Sequence, residues 1–230
     1  MLDTPASPPR AIRSFVKRGG RTTLAQSRAI AELWPRFGID PGTTALDFEQ
    51  VFGRRAPAVV EIGFGDGEAL VSRAGASPDR DFLGLEVHPP GVGHCLLLAD
   101  AAKLANLRLL RQDAVEVLGT RLAPASLDEV LIWFPDPWPK KRHHKRRLLN
   151  GAFADLLARQ LRSGGVLRFA SDWQPYADEA LEVLNAHPDF RNEATDGGFV
   201  ARPAERLLTK FERRGLRLGH RVSDLMFNRR

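Results

Sequence analysis

The sequence has little cysteine and no long apolar run. Its single cysteine, Cys95, excludes a disulfide framework or a cysteine zinc site within the chain, and it fits a buried apolar side chain in a reducing compartment. No apolar run is long enough to span a membrane, and the first ten residues, MLDTPASPPR, lack the hydrophobic core of a signal peptide. We therefore expect a cytoplasmic protein that has no membrane partner.

Acidic residues are scarce in two stretches, although the whole chain has 28 Asp and Glu against 34 Lys and Arg. Residues 1–23 contain the single acid Asp3, several basic residues, and many Pro, Ser, Thr and Gly. We interpret them as a flexible basic arm before one domain over residues 24–230, although a solvated tail without a role is an open alternative.

Residues 140–147 hold six Lys or Arg, two His and no acid. Such a stretch predicts a polyanionic partner.

Apolar runs alternate with segments of helical periodicity over most of the chain. We expect strands over residues 59–64, 82–87, 107–112, 127–134, 165–170 and 222–227. We expect helices over residues 25–37, from 67 onward, and over 91–104, 114–122, 148–161 and 175–185. This alternation predicts an α/β fold with a doubly wound, Rossmann-like, mostly parallel sheet whose C-terminal strand is antiparallel.

A glycine-rich turn, EIGFGDGE, follows the first of these strands. It contains Glu61, Gly63 and Gly65, and it has Glu68 where a dinucleotide-binding turn needs a third glycine. The pattern resembles motif I of S-adenosylmethionine-dependent methyltransferases. Carboxylates at Glu61 and Asp66 suit the ammonium group of that cofactor. A tight turn that binds nothing is the alternative interpretation.

An acidic residue also follows each of the next strands. Glu86 ends the second strand, where such an acid accepts hydrogen bonds from ribose hydroxyls, and Asp113 ends the third. Asp113 is placed either to meet an adenine edge or to cap the next helix. Asp136 follows the fourth strand, and Asp172 follows the fifth as a site residue or as another helix cap. Ligands of open α/β sheets bind at these strand ends.

The loop WFPDPWPKKRHHKRR, residues 133–147, is the most informative segment. Its three prolines predict a stiff loop that holds Asp136 beside an aromatic ring and next to a basic surface. That combination suits an enzyme acting on a base within a nucleic acid. No third ligand lies near His143 and His144, so we expect no metal site.

Together these motifs resemble one family, the bacterial tRNA (guanine-N7-)-methyltransferases of the TrmB type. The matching stretches span nearly the whole chain in order; they are IRSFV, EIGFGDGE, GLEVH, QDA, FPDPWPKKRHHKRR, SDWQPYA, TKFE and DLMF. The resemblance implies a class I methyltransferase fold. It also implies methyl transfer from S-adenosyl-L-methionine to nitrogen 7 of guanine 46 in the variable loop of tRNA.

The resemblance also implies roles for particular residues. Asp136 is the implied catalytic residue, and the cofactor-binding set is Glu61, Gly63, Gly65, Glu86, Asp113 and Asp136. The implied guanine-binding set is Lys140, Asp172, Thr209, Lys210, Phe211 and Glu212. The implied RNA-binding set is Arg142, His143, His144, Lys145, Arg146 and Arg147.

Other functions stay open at this stage. A methyltransferase acting on a small molecule or on another RNA base has the same cofactor motif. An inactive RNA-binding protein with a methyltransferase fold would keep the basic loop. The sequence also leaves open whether the protein is a monomer or a homodimer.

Overall fold

The computed structural model describes residues 13–15, 20–208, 212–213, 219 and 221–230. Its strands are β1 (Gly38–Ile39), β2 (Ala58–Ile62), β3 (Asp81–Leu85), β4 (Leu107–Leu110), β5 (Leu127–Trp133), β6 (Leu161–Ser171), β7 (Phe190–Asn192) and β8 (Ser223–Arg229). Its helices are α1 (Leu24–Phe37), α2 (Phe48–Phe52), α3 (Glu68–Ala76), α4 (Pro89–Ala101), α5 (Ala114–Thr120), α6 (Gly151–Gln160) and α7 (Gln174–Ala186), with a 3-10 helix at Lys141–Arg146.

The strands form one sheet in the order β1-β4-β3-β2-β5-β6-β8-β7. The pairs from β1 to β6 are parallel, whereas β8 is antiparallel to both β6 and β7. The predicted mostly parallel, doubly wound sheet with an antiparallel C-terminal strand is confirmed. The strand order reverses at β2, because the chain passes to β3 on one side and later returns to β5 on the other. A crevice at such a switch point is where open α/β sheets bind ligands.

Two hydrophobic cores cover the two faces of this sheet. In β2, Val60 belongs to the core under α5, α6 and α7, whereas Val59 belongs to the core under α1, α3 and α4. This alternation follows from the pleat, which points successive side chains to opposite faces. Every β2 residue is buried, which explains why the strand is a nearly continuous apolar run.

The structure differs from the sequence prediction at short elements and at some boundaries. The predictions omit β1, α2 and β7, which are two, five and three residues long and therefore too short to show a hydrophobic period. The helix expected from residue 148 begins at Gly151 because Asn150 accepts a hydrogen bond from the Phe153 N–H at 3.1 Å. In contrast, β6 begins at Leu161, before the predicted residue 165.

The first helix begins where the predicted arm ends. Thr23 and Gln26 form a capping box, which fixes the start of α1 at Leu24. The arm itself, residues 1–23, lies largely outside the described residues and stays a prediction. None of the described helices has the length and apolar character needed to cross a lipid bilayer.

Candidate active site

The glycine turn between β2 and α3 requires glycine for two reasons. Gly63, Gly65 and Gly67 have φ values of 71°, 59° and 81°, in the left-handed region that favours glycine. A Cβ atom at Gly67 would also lie 2.5 Å from the Cys95 side chain. The turn therefore depends on its glycines for both its backbone angles and its packing against α4.

The Glu86 carboxylate joins the end of β3 to this turn. It accepts hydrogen bonds from the backbone N–H groups of Gly65 at 3.0 Å, Val87 at 2.6 Å and His88 at 3.1 Å. The residue is only 7% exposed. Because an ionised carboxylate has about four acceptor positions, these bonds leave limited capacity for ribose. Glu86 thus shapes the turn, and its contact with ribose stays a prediction.

Replacing Glu86 by alanine is expected to weaken cofactor binding. The variant loses the three hydrogen bonds that hold the turn as well as any ribose contact, and charge-assisted bonds of this kind contribute about 1.5–3 kcal/mol. Calorimetric titration with S-adenosylhomocysteine measures the effect. Glu182→Ala, an exposed change on α7, is the matched control. Equal affinity in the Glu86 variant and the parent would show that the assignment is wrong.

Glu61 is a buried carboxyl group at the start of the glycine turn. It is 2% exposed, and its Oε2 has no hydrogen-bond partner among the described residues. Burial raises the pKa of Glu61 to about 8, Arg73 opposes this rise, and Asp66 adds to it. A buried carboxylate without a partner is unfavourable, so this position suits a cationic group of a ligand. The residues present therefore fit the ammonium-bearing cofactor that the glycine turn predicts.

A cavity of about 180 Å³ lies at the carboxyl ends of β2, β3, β4 and β5. Four residues of the predicted cofactor-binding set line it, namely Gly63, Glu86, Asp113 and Asp136. Gly65 lines a neighbouring depression that also includes Glu86. The sheet thus brings together residues that are up to 73 positions apart in the sequence.

Asp113 is a helix cap that also lines the cavity. Its side chain accepts a hydrogen bond from the Val115 N–H at 3.0 Å and so caps α5. Partial burial raises the pKa of Asp113, and the bond from Val115 opposes that rise. The capping interpretation is confirmed, while the contact with adenine stays a prediction.

The loop after β5 holds Asp136 in a strained stretch of backbone. Phe134 and Trp138 both have positive φ values, 50° and 47°, although neither is glycine. Conformations of this kind cost on the order of 1–3 kcal/mol each and persist where surrounding contacts fix them. Asp136 lies between these two residues, is exposed, and lines the cavity mouth.

One of the fixing contacts joins this loop to the N-terminal segment. The Trp138 Nε1–H donates a hydrogen bond to the Ser14 carbonyl at 3.0 Å. Ser14 and Phe15 line the 180 Å³ cavity, so the segment covers part of its opening. Ser14 and Phe15 of the IRSFV stretch therefore belong to the site.

A buried ion network packs against Trp133 and Phe134, where the loop begins. The Arg206 guanidinium stacks over the rings of Trp133 and Phe134, with centroid distances of 5.8 and 5.4 Å. It forms ion pairs with Glu212 at 2.7 Å and with Asp224 at 2.8 Å, and all three side chains are buried. The Glu212 carboxylate accepts hydrogen bonds from Arg206, and its predicted contact with guanine stays a prediction.

The basic segment is a 3-10 helix with exposed or half-exposed side chains from Lys141 to Arg146. Slight desolvation and four neighbouring cations lower the pKa of His143. Among the described residues, no group of three His, Cys, Asp or Glu side chains is placed to hold a metal ion.

Arg147 differs from its basic neighbours. Its side chain is only 2% exposed and forms an ion pair with Glu179, and its expected contact with RNA stays a prediction. Its Nε–H also donates to the Pro137 carbonyl at 3.0 Å. A run of cations carries no signal that its last member turns inward.

Asp172 lies near Asp136 in the topology, because β5 and β6 are parallel neighbours. Trp133 pairs with Ala170, so the loops bearing the two acids leave the same edge of the sheet. Asp172 is half-buried, and Lys140 is exposed. Thr209, Lys210 and Phe211 lie outside the described residues, so their predicted role in guanine binding stays a prediction.

The chain is similar to known methyltransferases. A family described as "Putative methyltransferase" matches residues 55–225. A tRNA (guanine-N(7)-)-methyltransferase from Halorhodospira halophila (strain DSM 244 / SL1) is 55% identical over 225 residues, which cover 97% of this chain and 97% of the relative. The chain belongs to the family of the tRNA (guanine-N(7)-)-methyltransferases. A second relative with the same name, from Methylococcus capsulatus (strain ATCC 33009 / NCIMB 11132 / Bath), is 53% identical and covers 97% of this chain and 96% of its own.

Solved structures of other methyltransferases share the fold of this family member. The 16S rRNA methyltransferase KamB superposes with a TM-score of 0.55 at 19% identity, covering 82% of this chain and 95% of its own. The antibiotic-resistance methyltransferase Kmr gives 0.52 at 14% identity, with coverage of 80% and 91%. The expected class I methyltransferase architecture is confirmed.

Proposed function

We propose that this protein transfers a methyl group from S-adenosyl-L-methionine to nitrogen 7 of guanine 46 in the variable loop of tRNA. The observation that carries the proposal is the cavity at the switch point, where acids from separate strand ends meet beside a basic 3-10 helix. The names of the relatives supply the tRNA and the guanine nitrogen. Guanine 46 comes from the family resemblance.

Three acids and the glycine turn would hold the cofactor. Glu61 would pair with its ammonium group, since the Glu61 carboxyl is buried and has an oxygen without a partner among the described residues. Glu86 and Asp113 would face the ribose and the adenine. The cofactor supplies an activated methyl group, and the protein supplies orientation and electrostatic stabilisation.

The chemistry at guanine favours an electrostatic role for Asp136. Nitrogen 7 carries an in-plane lone pair and no proton, so its attack on the methyl group requires no general base. Positive charge grows on the purine as the bond forms. A carboxylate held rigidly at the cavity mouth stabilises that charge. The strained backbone on both sides of Asp136 fits this requirement for a fixed position.

The RNA would lie over the 3-10 helix and the neighbouring cleft. That cleft has a volume of about 710 Å³ and is lined by Arg13, Lys145 and Arg146. It shares Ser14, Asp113 and Leu148 with the 180 Å³ cavity, so the two spaces adjoin. Phosphates bound by these cations would set the position of the RNA, and the cavity would receive the base.

Replacing Arg146 by alanine is expected to weaken tRNA binding and to reduce its salt dependence. One lost phosphate contact lowers the slope of log K against log salt by about 0.7–0.9. Binding of tRNA measured at several salt concentrations gives the slope. Arg159→Ala, at an exposed position on α6, serves as the control. A slope equal to that of the parent would argue against a phosphate contact at Arg146.

Mapping the methylated nucleoside tests the proposed function. The full-length protein is incubated with labelled S-adenosylmethionine and a tRNA transcript, and the digest is analysed by mass spectrometry. We expect 7-methylguanosine in the parent transcript and none when guanine 46 is replaced by adenine. Methylation of another base, or equal methylation of both transcripts, would contradict the proposal.

A further inference from the structure

We propose that Arg147 is a positioning residue that fixes the Asp136 loop against the start of α7. The residue does not line the 180 Å³ cavity, although it lines the neighbouring 710 Å³ cleft, and it acts through the backbone of its neighbours. The inference rests on the proposed function in one respect, because the step it supports is methyl transfer.

The contacts of the Arg147 side chain carry the inference. Its Nε–H donates to the Pro137 carbonyl at 3.0 Å, and its Nη1–H donates to the Pro175 carbonyl at 3.3 Å and to the Glu179 carboxylate. The guanidinium also stacks over the Tyr176 ring, with a centroid distance of 5.0 Å. One planar group thus binds two separate segments of backbone.

Those two segments follow the two candidate acids of the site. Pro137 comes directly after Asp136, and Pro175 comes three residues after Asp172. Because the guanidinium holds both carbonyl groups, it sets the separation of the two acid-bearing loops. Phe134 and Trp138 are in strained conformations, and such conformations persist only where surrounding contacts fix them. The bond to Pro137 lies within that strained stretch.

The position of Arg147 is itself anchored. It caps the C-terminal end of the 3-10 helix, where its N–H donates to the His144 carbonyl at 2.8 Å. Its own carbonyl accepts from Asn150, the cap of α6. Two residues further on, the Leu149 N–H donates to the Tyr176 hydroxyl at 2.9 Å. We call the hydrogen bonds from Arg147 to the Pro137 and Pro175 carbonyls the clamp. The 3-10 helix before Arg147 and α6 after it hold this clamp in place.

Lysine keeps the charge of Arg147 but not its geometry. Arginine presents five N–H donors in a rigid fork, whereas lysine presents one compact ammonium group. A lysine at this position can reach Glu179, but it cannot also bind the Pro137 carbonyl through a second nitrogen. Arg147→Lys should therefore release the Asp136 loop while keeping the buried ion pair.

The test compares Arg147→Lys with Arg159→Lys, an exposed arginine that donates to a backbone carbonyl. Single-turnover methylation at saturating tRNA and cofactor should be about 10–100-fold slower in Arg147→Lys, because small displacements at a reacting centre have effects of this size. The tRNA affinity and its salt slope should stay near those of the parent. The melting temperature should fall by a few degrees because buried hydrogen bonds are lost, so the rates are compared at a temperature at which both proteins are fully folded. Arg159→Lys should react at the parent rate.

A double-variant cycle with Glu179 adds a second readout. Glu179→Gln should slow the reaction less than Arg147→Lys, and the double variant should be no slower than Arg147→Lys alone, since both changes act on one clamp. The proposal is overturned if Arg147→Lys reacts at the parent rate, or if its loss of rate equals a loss of folded protein. A salt slope lowered by one phosphate contact would overturn it in favour of RNA binding.

Hydrogen exchange separates a failure of this inference from a failure of the proposed function. Arg147→Lys should accelerate exchange in a peptide covering residues 133–141, whether or not the parent methylates tRNA. An inactive parent with accelerated exchange in the variant would contradict the function and support the clamp. Unchanged exchange in that peptide would overturn the clamp.

Discussion

Replacing Asp136 by asparagine is expected to slow methyl transfer by about 10²-fold or more. The change keeps the shape of the side chain and removes its charge, and electrostatic terms of this kind often reach that size. Single-turnover quench-flow at saturating tRNA and cofactor measures the step itself. Asp79→Asn, an exposed change just before β3 at the opposite edge of the sheet, should react at the parent rate.

The pH profile decides which role Asp136 has. Guanine nitrogen 7 has no proton to lose, so the parent rate should be nearly flat from about pH 6.5 to 8.5, whereas a general base tuned near neutrality gives a sloped profile. A parent rate that rises tenfold per pH unit, with the slope lost in Asp136→Asn, would show that Asp136 removes a proton. The electrostatic account would then be wrong.

Cofactor affinity is expected to rise with pH, in contrast to the rate of the chemical step. Burial raises the pKa of Glu61 to about 8, so most copies are protonated at pH 6 in the cofactor-free protein. Pairing with an ammonium group requires the ionised form. Affinity for S-adenosylmethionine should therefore increase by about 20-fold from pH 6 to 7.5, as the ionised fraction increases. Equilibrium binding across that range measures the effect.

Glu61→Gln tests the origin of this pH dependence. The variant should bind the cofactor weakly and with little change between pH 6 and 7.5, while the exposed change Glu182→Gln should keep the parent profile. The same burial makes the folded, cofactor-free protein bind a proton more tightly than the unfolded chain between about pH 4.5 and 8. Its stability should therefore fall as pH rises through that window, and less so in Glu61→Gln. An identical pH dependence of affinity in parent and variant would rule out Glu61 as the source.

The sheet could be predicted from sequence because its strands are covered on both faces. In β2, β3 and β5 this burial produces apolar runs that stand out from their surroundings. The shortest elements could not be predicted, since two residues in β1 cannot show a period. The apolar residues Leu148 and Leu149 indicate an earlier start for α6, but the Asn150 cap makes the helix begin at Gly151.

The gathering of acids around the candidate site could be predicted in part because parallel strand ends meet at one edge of the sheet. The positions of Glu86, Asp113 and Asp136 follow from this rule. The contacts of each acid do not, because Glu86 binds the Gly65 N–H only through the pairing of β2 with β3.

Long-range ion pairs lie beyond what local patterns can indicate. Arg206 stacks on Trp133 from a position 73 residues further along the chain, and it pairs with Asp224 in the last strand. Arg147 looks like its basic neighbours in the sequence, yet it alone among residues 140–147 is buried. Burial of a charged side chain is decided by partners from other elements, and the sequence shows no signal for those partners.

A single-atom change in the substrate tests the central claim most directly. A tRNA with 7-deazaguanine at position 46 keeps the shape and the pairing edge of guanine but lacks nitrogen 7. We expect it to bind the protein with the affinity of the unmodified tRNA and to accept no methyl group under conditions in which the unmodified tRNA is fully methylated. Methylation of the deaza tRNA at the same level would contradict the account, because the methyl group would then be going to another atom.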